Sequence, residues 1–320
     1  MFAAKLSAPR HFEIIDKPAP DIRAAPPDSI IVRTRRATIC GSDVAYYLGV
    51  TPAFAPDSFP AHECVGDVIA SNSPRFKIGD AVMAQPHLFQ GLAEFYLARD
   101  SHAVHIPNDG DWKKWIMCQP LGTVLWGMRK IGPLFHQRVV VLGQGAIGLF
   151  ATQMGANLGA RVIIAVDPIQ HRREIAARVG ATHTIAETNE SLYNAVAKIV
   201  GDAGVDLVIE AVGHQTETIN TAIRLVKHSG AILALGVDDQ DVYPILYHEL
   251  FRKNARLIPS VTATDMPKDF ALAVQYIQNR RVNVEGLATH EFPFARVQDA
   301  FELFSQRRDN VIKVMINYDS

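Results

Sequence analysis

The chain has 320 residues, of which 48% are hydrophobic and 20% are charged. Its 32 basic and 33 acidic residues leave a net charge of −1, which excludes a strongly basic nucleic-acid-binding protein and a highly charged disordered chain. No apolar run approaches the ~18 residues that a membrane span requires, so we expect no signal peptide, no membrane association and a cytoplasmic location. This length allows two domains, each with its own core.

The first 120 residues are predicted to be rich in β-structure. Short alternating runs such as residues 29–33, and turn signals at residues 26–27 and 77–80, favour short strands joined by turns. Three cysteines occur in the chain, an odd number that is typical of reduced thiols or metal ligands rather than of disulfides. The segments with the most reactive side chains are Cys40-Gly41-Ser42-Asp43, Ala61-His62-Glu63 and Cys118-Gln119-Pro120-Leu121.

A glycine-rich loop follows the apolar, β-branched run at residues 139–142, which is predicted to be a strand buried on both faces. Gly143, Gly145 and Gly148 match the pattern G-x-G-x-x-G. In this pattern the first glycine permits a tight turn, the second lets the backbone approach a pyrophosphate, and the third lets helix and strand pack closely. The helix predicted from Ala146 would direct its positive end at the phosphates.

An acidic residue follows the next predicted strand, residues 162–166. Asp167 stands 24 residues after Gly143, where a carboxylate would bind the ribose diol of NAD and repel the 2′-phosphate of NADP. Arg172 would bind the ribose or cover the adenine. NAD is therefore the favoured cofactor, and the competing interpretation of Asp167 is a helix N-cap.

The alternation of strands and helices continues to residue 261. We predict helices at residues 170–179, 190–200 and 217–226, and strands at residues 183–185, 205–210, 231–235 and 257–261. Strands alternating with helices at these lengths imply a parallel sheet covered on both faces, with the ligand at the carboxyl ends of the strands.

In their order and spacing, these segments resemble the zinc-dependent medium-chain dehydrogenases of the alcohol dehydrogenase superfamily. The most similar branch is that of the sorbitol and polyol dehydrogenases, which carry C-G-S-D, G-H-E and E-P-L at comparable places. The resemblance extends over nearly the whole chain and includes residues 76–82, 91–109, 208–213 and 311–316. It implies an α/β fold: a Rossmann doubly wound parallel sheet at residues 122–261, and a β-rich GroES-like catalytic domain at residues 1–121 and 262–320.

The resemblance also implies an activity and a catalytic site. Cys40, His62 and Glu63 would hold one catalytic zinc ion, Asp43 would orient His62, and Ser42 would relay the proton of the substrate. Zinc held in this way lowers the pKa of a bound hydroxyl, so that hydride can pass to NAD. The substrate would be a secondary alcohol such as a polyol or cyclitol, or the corresponding ketone.

Further residues are assigned to the cofactor by the same resemblance. Thr123 and Ile147 would contact opposite faces of the nicotinamide ring, and Lys313 would lie near the cofactor phosphates. The competing interpretations are core positions for the first two and a solvated surface position for Lys313. The family is also oligomeric, which implies a homodimer or homotetramer built through the coenzyme domain.

The sequence departs from the family at several positions. Gln119 stands where the family supplies another carboxylate, and an amide is a poor zinc ligand. The adjacent Cys118 is then either a substitute ligand or an inert buried thiol. Ala45 replaces a histidine of the proton relay, which leaves the route of proton release open, and Ala61 replaces the glycine before His62.

One lobe of the family is missing. Between Val82 and Gly91 the chain has only MAQPHLFQ, without the four cysteines that hold a structural zinc in many relatives, so at most one zinc ion is expected. His87, Leu88 and Phe89 of this short segment either pack as a simple loop, which we favour, or contact the substrate.

Two other functions remain open at this point. A zinc-free NAD(P)H reductase of the quinone or enoyl type is supported by Gln119, but it has no evident use for Cys40, His62 and Glu63. A non-catalytic nucleotide-binding protein would explain both Gln119 and Ala45. Taken singly, Cys40 is also compatible with a structural thiol and His62 with a hydrogen-bonded core imidazole.

Overall fold

The computed structural model describes residues 1–50, 59–188, 190–214, 216–238, 240–261 and 266–319. The chain divides into two compact units. The first comprises Met1–Gly122, Thr264–Asn279 and Val284–Ser320, and the second comprises Thr123–Ala263 and Arg280–Asn283. The predicted domain boundary at residue 262 lies outside the described residues. Within the described ranges, no helix is both long enough and apolar enough to cross a membrane.

The N-terminal part of the first unit is mainly β-structure, as predicted. Its elements are β1 (Phe2–Ala8), β2 (His11–Asp16), β3 (Ser29–Thr38), α1 (Gly41–Tyr47), β4 (Glu63–Ser71), β5 (Ala81–Ala84), β6 (Phe95–Arg99), β7 (Ala103–His105), α2 (Trp112–Trp115) and the first residues of α3 (Cys118–Ile131), which belongs to the second unit from Thr123 onward. The predicted strand at residues 29–33 is the first half of β3, which extends to Thr38 because most of its residues are buried between neighbours.

The second unit is an alternation of strands and helices. Its elements are β8 (Arg138–Leu142), α4 (Ala146–Asn157), β9 (Val162–Val166), α5 (Gln170–Arg178), β10 (His183–Ile185), α6 (Glu190–Val200), β11 (Val205–Glu210), α7 (Thr216–Leu225), β12 (Val226–Ala234), α8 (Tyr247–Arg252) and β13 (Arg256–Pro259). The strands pair in parallel in the order β10-β9-β8-β11-β12-β13. The prediction of a parallel sheet is therefore confirmed.

The strand order gives the second unit a switch point. The chain proceeds from β8 through β9 to β10 on one side, and then from β11 through β12 to β13 on the other. In sheets of this type, ligands bind beyond the carboxyl ends of the strands at the point where the order reverses, here between β8 and β11. Apolar β-branched residues such as Val140, Ile164 and Val208 are fully buried, as a sheet covered on both faces requires.

The C-terminal part of the chain returns to the first unit. Its elements are α9 (Met266–Gln278), β14 (Ala288–Pro293), α10 (Val297–Ser305) and β15 (Lys313–Asn317). The large sheet of this unit has the order β14-β15-β3-β4-β5-β7, with β6 also paired to β3. The rings of Phe12, Tyr47 and Phe301 pack on one another in its core, with centroids 4.8 to 5.8 Å apart.

Candidate active site

A thiol, an imidazole and a carboxylate come together in the first unit. The ligand atoms of Cys40, His62 and Glu63 all lie within 4.8 Å of one another. In the part of the chain that the structure describes, this is the one group of three or more cysteine, histidine and acidic side chains close enough to share an ion. Sulfur, nitrogen and oxygen donors are the ligands that Zn²⁺ takes in catalytic sites, so the residues present fit zinc.

The sheet register explains why these residues meet. Strands β3 and β4 are antiparallel, with Thr38 opposite Glu63. Because antiparallel strands run in opposite directions, the residues just beyond the end of β3 lie beside those just before the start of β4. This pairing brings Cys40 to His62. Strand β15 pairs with the other edge of β3, with Met315 opposite Thr38. Its first residue, Lys313, therefore lies at the same end of the sheet.

Asp43 connects two of the candidate ligands. Its Oδ2 atom accepts a hydrogen bond of 2.8 Å from the backbone N–H of Cys40, and its Oδ1 atom lies 3.2 Å from Nδ1 of His62. The carboxylate is completely buried and stands in the first turn of α1. It therefore orients the imidazole and leaves Nε2 as the nitrogen that can bind a metal.

The charges of this cluster act on His62. Burial opposes protonation of the ring, but Coulombic interactions with Asp43 and Cys40 and hydrogen bonds to both outweigh it, so the pKa of His62 is raised well above its usual value. The environment of His62 thus favours a positive charge at this position. A divalent cation would supply that charge without a proton.

Lys313 makes a contact that the sequence analysis did not predict. Its Nζ atom lies 2.6 Å from the carboxylate of Glu63 and donates a second hydrogen bond of 3.1 Å to the carbonyl of Ile39. The hydroxyl of Thr38 donates to Oε2 of the same carboxylate. Glu63 and Lys313 are 1% and 4% exposed, so the interpretation of Lys313 as a solvated surface lysine is wrong.

The predicted contact of Lys313 with the cofactor phosphates stays a prediction, and the ammonium has another partner in this structure. Burial lowers the pKa of the amine, but Glu63 and then Cys40 outweigh it, so the net pKa of Lys313 is raised and the group is a stable cation. In this structure the ammonium neutralises Glu63 inside the first unit. A contact with cofactor phosphates would require Lys313 to leave that partner.

The other residues near the predicted metal site take varied positions. Cys118 begins α3, is completely buried and lies outside the cluster of candidate ligands, and burial raises the pKa of its thiol. Gln119, next to it, is also buried. Ser42 is half-buried in the first turn of α1, two residues after Cys40, and Ala45 is buried one turn further along.

The glycine loop of the second unit has the predicted position between β8 and α4. Gly143 has a φ of +85°, which favours glycine, and its N–H donates to the carbonyl of Val166. A Cβ atom on Gly145 would meet no atom within 4 Å, so the backbone is open to a ligand there. A Cβ atom on Gly148 would collide with the carbonyl of Gly143. Ile147, in the first turn of α4, is half-buried.

Asp167 connects the glycine loop to the end of β9. Its Oδ2 atom accepts the backbone N–H of Gln144 and its Oδ1 atom accepts that of Ile169, both at 2.8 Å. Helix α5 begins at Gln170 with Ile169 as its N-cap residue, so the interpretation of Asp167 as the N-cap is wrong. Nη1 of Arg172 lies 3.7 Å from Oδ2 of Asp167.

Glu210 plays a comparable part at the end of β11, and the sequence analysis missed it. Its Oε1 atom accepts the N–H groups of Val212 and Gly213, both at 2.9 Å, and so fixes the turn that packs against Gly143. An acidic residue at the end of a buried strand was the signal that identified Asp167. The same signal would have identified Glu210. Thr123 stands in the part of α3 that belongs to the second unit and is half-buried.

Comparison with known proteins agrees with this architecture. Residues 26–141 match the alcohol dehydrogenase GroES-like domain, and residues 146–279 match the zinc-binding dehydrogenase domain. An alcohol dehydrogenase of Cupriavidus necator is 28% identical over 99% of this chain and 98% of its own length. A sorbitol dehydrogenase of Bacillus subtilis is 23% identical over 99% and 97%. The solved alcohol dehydrogenase from Thermus sp. ATN1 is similar with a TM-score of 0.85 and 25% identity over 99% of both chains.

A Rossmann sheet with a glycine loop, together with a GroES-like unit that carries a Cys-His-Glu cluster, defines a dehydrogenase of the medium-chain type. The chain belongs to the zinc-type alcohol dehydrogenase family and is an enzyme of that family. The predicted resemblance and fold class are confirmed. These findings disfavour the zinc-free reductase and the non-catalytic protein that the sequence left open.

Proposed function

We propose that the protein is a zinc- and NAD-dependent dehydrogenase that interconverts a secondary alcohol and the corresponding ketone. The observation that carries this proposal is the approach of the Cys40, His62 and Glu63 ligand atoms to within 4.8 Å of one another. When bound, zinc would act as a Lewis acid on the substrate oxygen and NAD would accept the hydride. Polyols and other secondary alcohols are the classes to assay first, because a sorbitol dehydrogenase and an alcohol dehydrogenase are both among the relatives.

Cys40 and His62 are the proposed permanent ligands. Asp43 holds both of them in place through the backbone of Cys40 and the ring of His62. Glu63 is the third ligand and also the partner of Lys313, so its carboxylate balances either the metal or the ammonium. With these three protein ligands, zinc would keep one open position for the substrate oxygen.

Ser42 is the proposed first acceptor of the substrate proton. It stands in the first turn of α1, two residues after Cys40, and a hydroxyl can accept one proton while it donates its own onward. Ala45 has no group that could continue this relay. The proton therefore leaves by a route other than the histidine route of the polyol dehydrogenases.

The second unit supports the choice of NAD. The open backbone at Gly145 suits a pyrophosphate, and the carboxylate of Asp167 at the end of β9 suits a ribose diol and opposes a 2′-phosphate. Arg172, beside this carboxylate, would cover the adenosine. Thr123 and Ile147 remain the proposed contacts of the nicotinamide ring.

We further propose a cytoplasmic homo-oligomer assembled through the second unit. All three cysteines are free thiols, as in a reducing compartment. The second unit exposes the large apolar side chains Val242, Tyr247, Phe251 and Val261, which contact with another copy would cover. A solution mass equal to that of a single chain would contradict the assembly.

The test combines metal analysis with turnover. Purified protein is expected to contain one zinc ion per chain and to form NADH from secondary alcohols, with NAD preferred to NADP. Cys40→Ala and His62→Ala should each lose the zinc and lower kcat/KM by at least about 1,000-fold, because Lewis-acid assistance contributes several kcal/mol to the transition state.

Cys118→Ala is the matched control, because it removes a buried thiol outside the cluster. It should retain the zinc and most of the activity. Active wild-type enzyme without zinc, or turnover that survives loss of both Cys40 and His62, would contradict the proposed function.

A further inference from the structure

The short loop between β5 and β6 contacts the Cys-His-Glu cluster. It contains a single 3₁₀ turn, His87–Phe89, in the segment where the four-cysteine lobe of many relatives is missing. The ring of Phe89 lies against the imidazole of His62, with centroids 5.2 Å apart and planes tilted by 60°. The sequence favoured plain loop packing for this residue. The structure instead places an aromatic ring directly beside a candidate metal ligand.

Backbone hydrogen bonds fix this loop to the segment that carries His62. The N–H of Ala61 donates to the carbonyl of Phe89, and the N–H of Gly91 donates to the carbonyl of Ala61, both at 3.0 Å. A Cβ atom on Gly91 would lie 2.5 Å from Sγ of Cys64 and 2.7 Å from the oxygen of Ala61. Only glycine permits so close an approach, so the position of Phe89 is set by the segment just before β4 that carries His62.

Two residues of the turn have a strained backbone conformation. Leu88 and Phe89 have φ angles of +53° and +57°, a region that bulky residues rarely adopt. Such strain persists where the surrounding contacts impose it, and it is common at functional sites. Here the turn leaves Leu88 49% exposed, whereas Phe89 is half-buried against His62.

We propose that Phe89 is a specificity-determining residue. Its ring would form an apolar wall beside the place where the substrate binds the metal held by Cys40, His62 and Glu63. An alkyl or aryl substituent on the carbinol carbon gains by leaving water against this ring. A hydroxyl group in the same place loses its hydrogen bonds to water without a replacement from the ring. The enzyme should therefore prefer secondary alcohols with one apolar substituent to polyhydroxylated chains. This inference rests on the proposed function, because it concerns the substrate of the same site.

A binding experiment tests the wall without turnover. Protein loaded with Co²⁺ is titrated with imidazole and with 1-butylimidazole, which coordinate a metal through the same type of nitrogen, and the visible absorption of the cobalt is recorded. The wild type should bind the butyl compound about tenfold more tightly, because the chain buries several methylene groups. Phe89→Ala should reduce this preference to about twofold or less.

Two further variants make the result specific. Leu88→Ala truncates the exposed neighbour in the same turn and should leave the tenfold preference unchanged. Phe89→Leu keeps an apolar side chain of similar reach and should retain most of it. An unchanged preference in Phe89→Ala, or an equal loss in Leu88→Ala, would overturn the inference.

Turnover separates this inference from the proposed function. Phe89→Ala should lower the ratio of kcat/KM for 2-heptanol to kcat/KM for xylitol by about tenfold, with the zinc content unchanged. A wild type that oxidises neither alcohol would refute the proposed function, and the imidazole titration would still decide the role of Phe89. A wild type that oxidises both, with a ratio that Phe89→Ala does not change, would refute the wall alone.

Discussion

Glu63 shows how a single residue can have two partners in this site. Its carboxylate belongs to the candidate metal cluster, and it is also bound by the ammonium of Lys313 and the hydroxyl of Thr38. All three side chains are buried. Because a buried charge without a partner is costly, Lys313 stabilises the carboxylate whenever the metal does not bind it. Lys313 thus has a structural role in the metal-free protein.

We expect Lys313→Met to destabilise the metal-free protein by about 3 kcal/mol, since it leaves the buried carboxylate of Glu63 without a cation. The double variant Lys313→Met with Glu63→Gln should recover most of this loss, because it removes the charge that needs the ammonium. Urea denaturation of the wild type, Lys313→Met, Glu63→Gln and the double variant measures the coupling between the two residues. Losses that simply add in the double variant would show that the pair contributes nothing.

The residue types of the site were predictable, but their partners were not. The C-G-S-D and H-E segments pointed to Cys40, His62 and Glu63 from the sequence. Thr38 was not predicted at all, because its contact with Glu63 depends on the register of two strands. Lys313 was assigned to the cofactor, and only the pairing of β15 with β3 shows its carboxylate partner.

In the turn from β8 into α4, two glycines of the same motif have different surroundings. Gly148 packs against the carbonyl of Gly143, whereas the backbone at Gly145 faces open space. Gly145 has a φ of −72°, which any residue adopts. The two glycines therefore serve different purposes, packing in one case and access for a ligand in the other.

This difference predicts that two similar substitutions affect different properties, protein stability in one case and NADH binding in the other. Gly148→Ala should destabilise the protein by at least about 2 kcal/mol, because its methyl group forces the loop away from α4. Gly145→Ala should leave the thermal midpoint unchanged and weaken NADH binding at least tenfold, because the methyl group occupies the space of the pyrophosphate. Thermal melts and NADH fluorescence titrations check the two outcomes. An NADH affinity of Gly145→Ala equal to that of the wild type would contradict our interpretation of the loop.

Element boundaries were predicted well where the pattern was local. Strand β9 and helix α6 have the predicted limits, because apolar runs bounded by polar residues indicate them. Strand β12 begins five residues earlier than predicted. Val226 already pairs with Val205 while Ala231 pairs with Leu207, so the polar residues between them form a bulge within the strand. The sequence of this bulge resembles a turn and concealed the continuation.

At the scale of the whole molecule, each unit carries its own candidate ligand site. The Cys-His-Glu cluster lies in the first unit, and the glycine loop and Asp167 lie in the second. A ligand stabilises the part of a protein that it binds by an amount that grows with its concentration relative to Kd.

We therefore expect the two ligands to protect different segments from amide hydrogen exchange. Removal of zinc with a chelator should accelerate exchange in β3, β4 and α1, and leave β8, β9 and β11 unchanged. Addition of NADH should slow exchange around the glycine loop. Mass spectrometry of the exchanged peptides measures both effects. A uniform response of the whole chain to the chelator would contradict a metal site confined to the first unit.

The sequence by itself determined the parallel sheet and the glycine loop, because these depend on local periodicity and on a short motif with a fixed chemistry. It indicated the candidate metal ligands only through the resemblance of the C-G-S-D and H-E segments to a known family. Only the tertiary structure decided that Lys313 pairs with Glu63 and that Phe89 packs on His62. Those contacts join residues whose separation in the chain carries no pattern. They arise from strand register and from one strained turn, which are set by the packing of the whole unit.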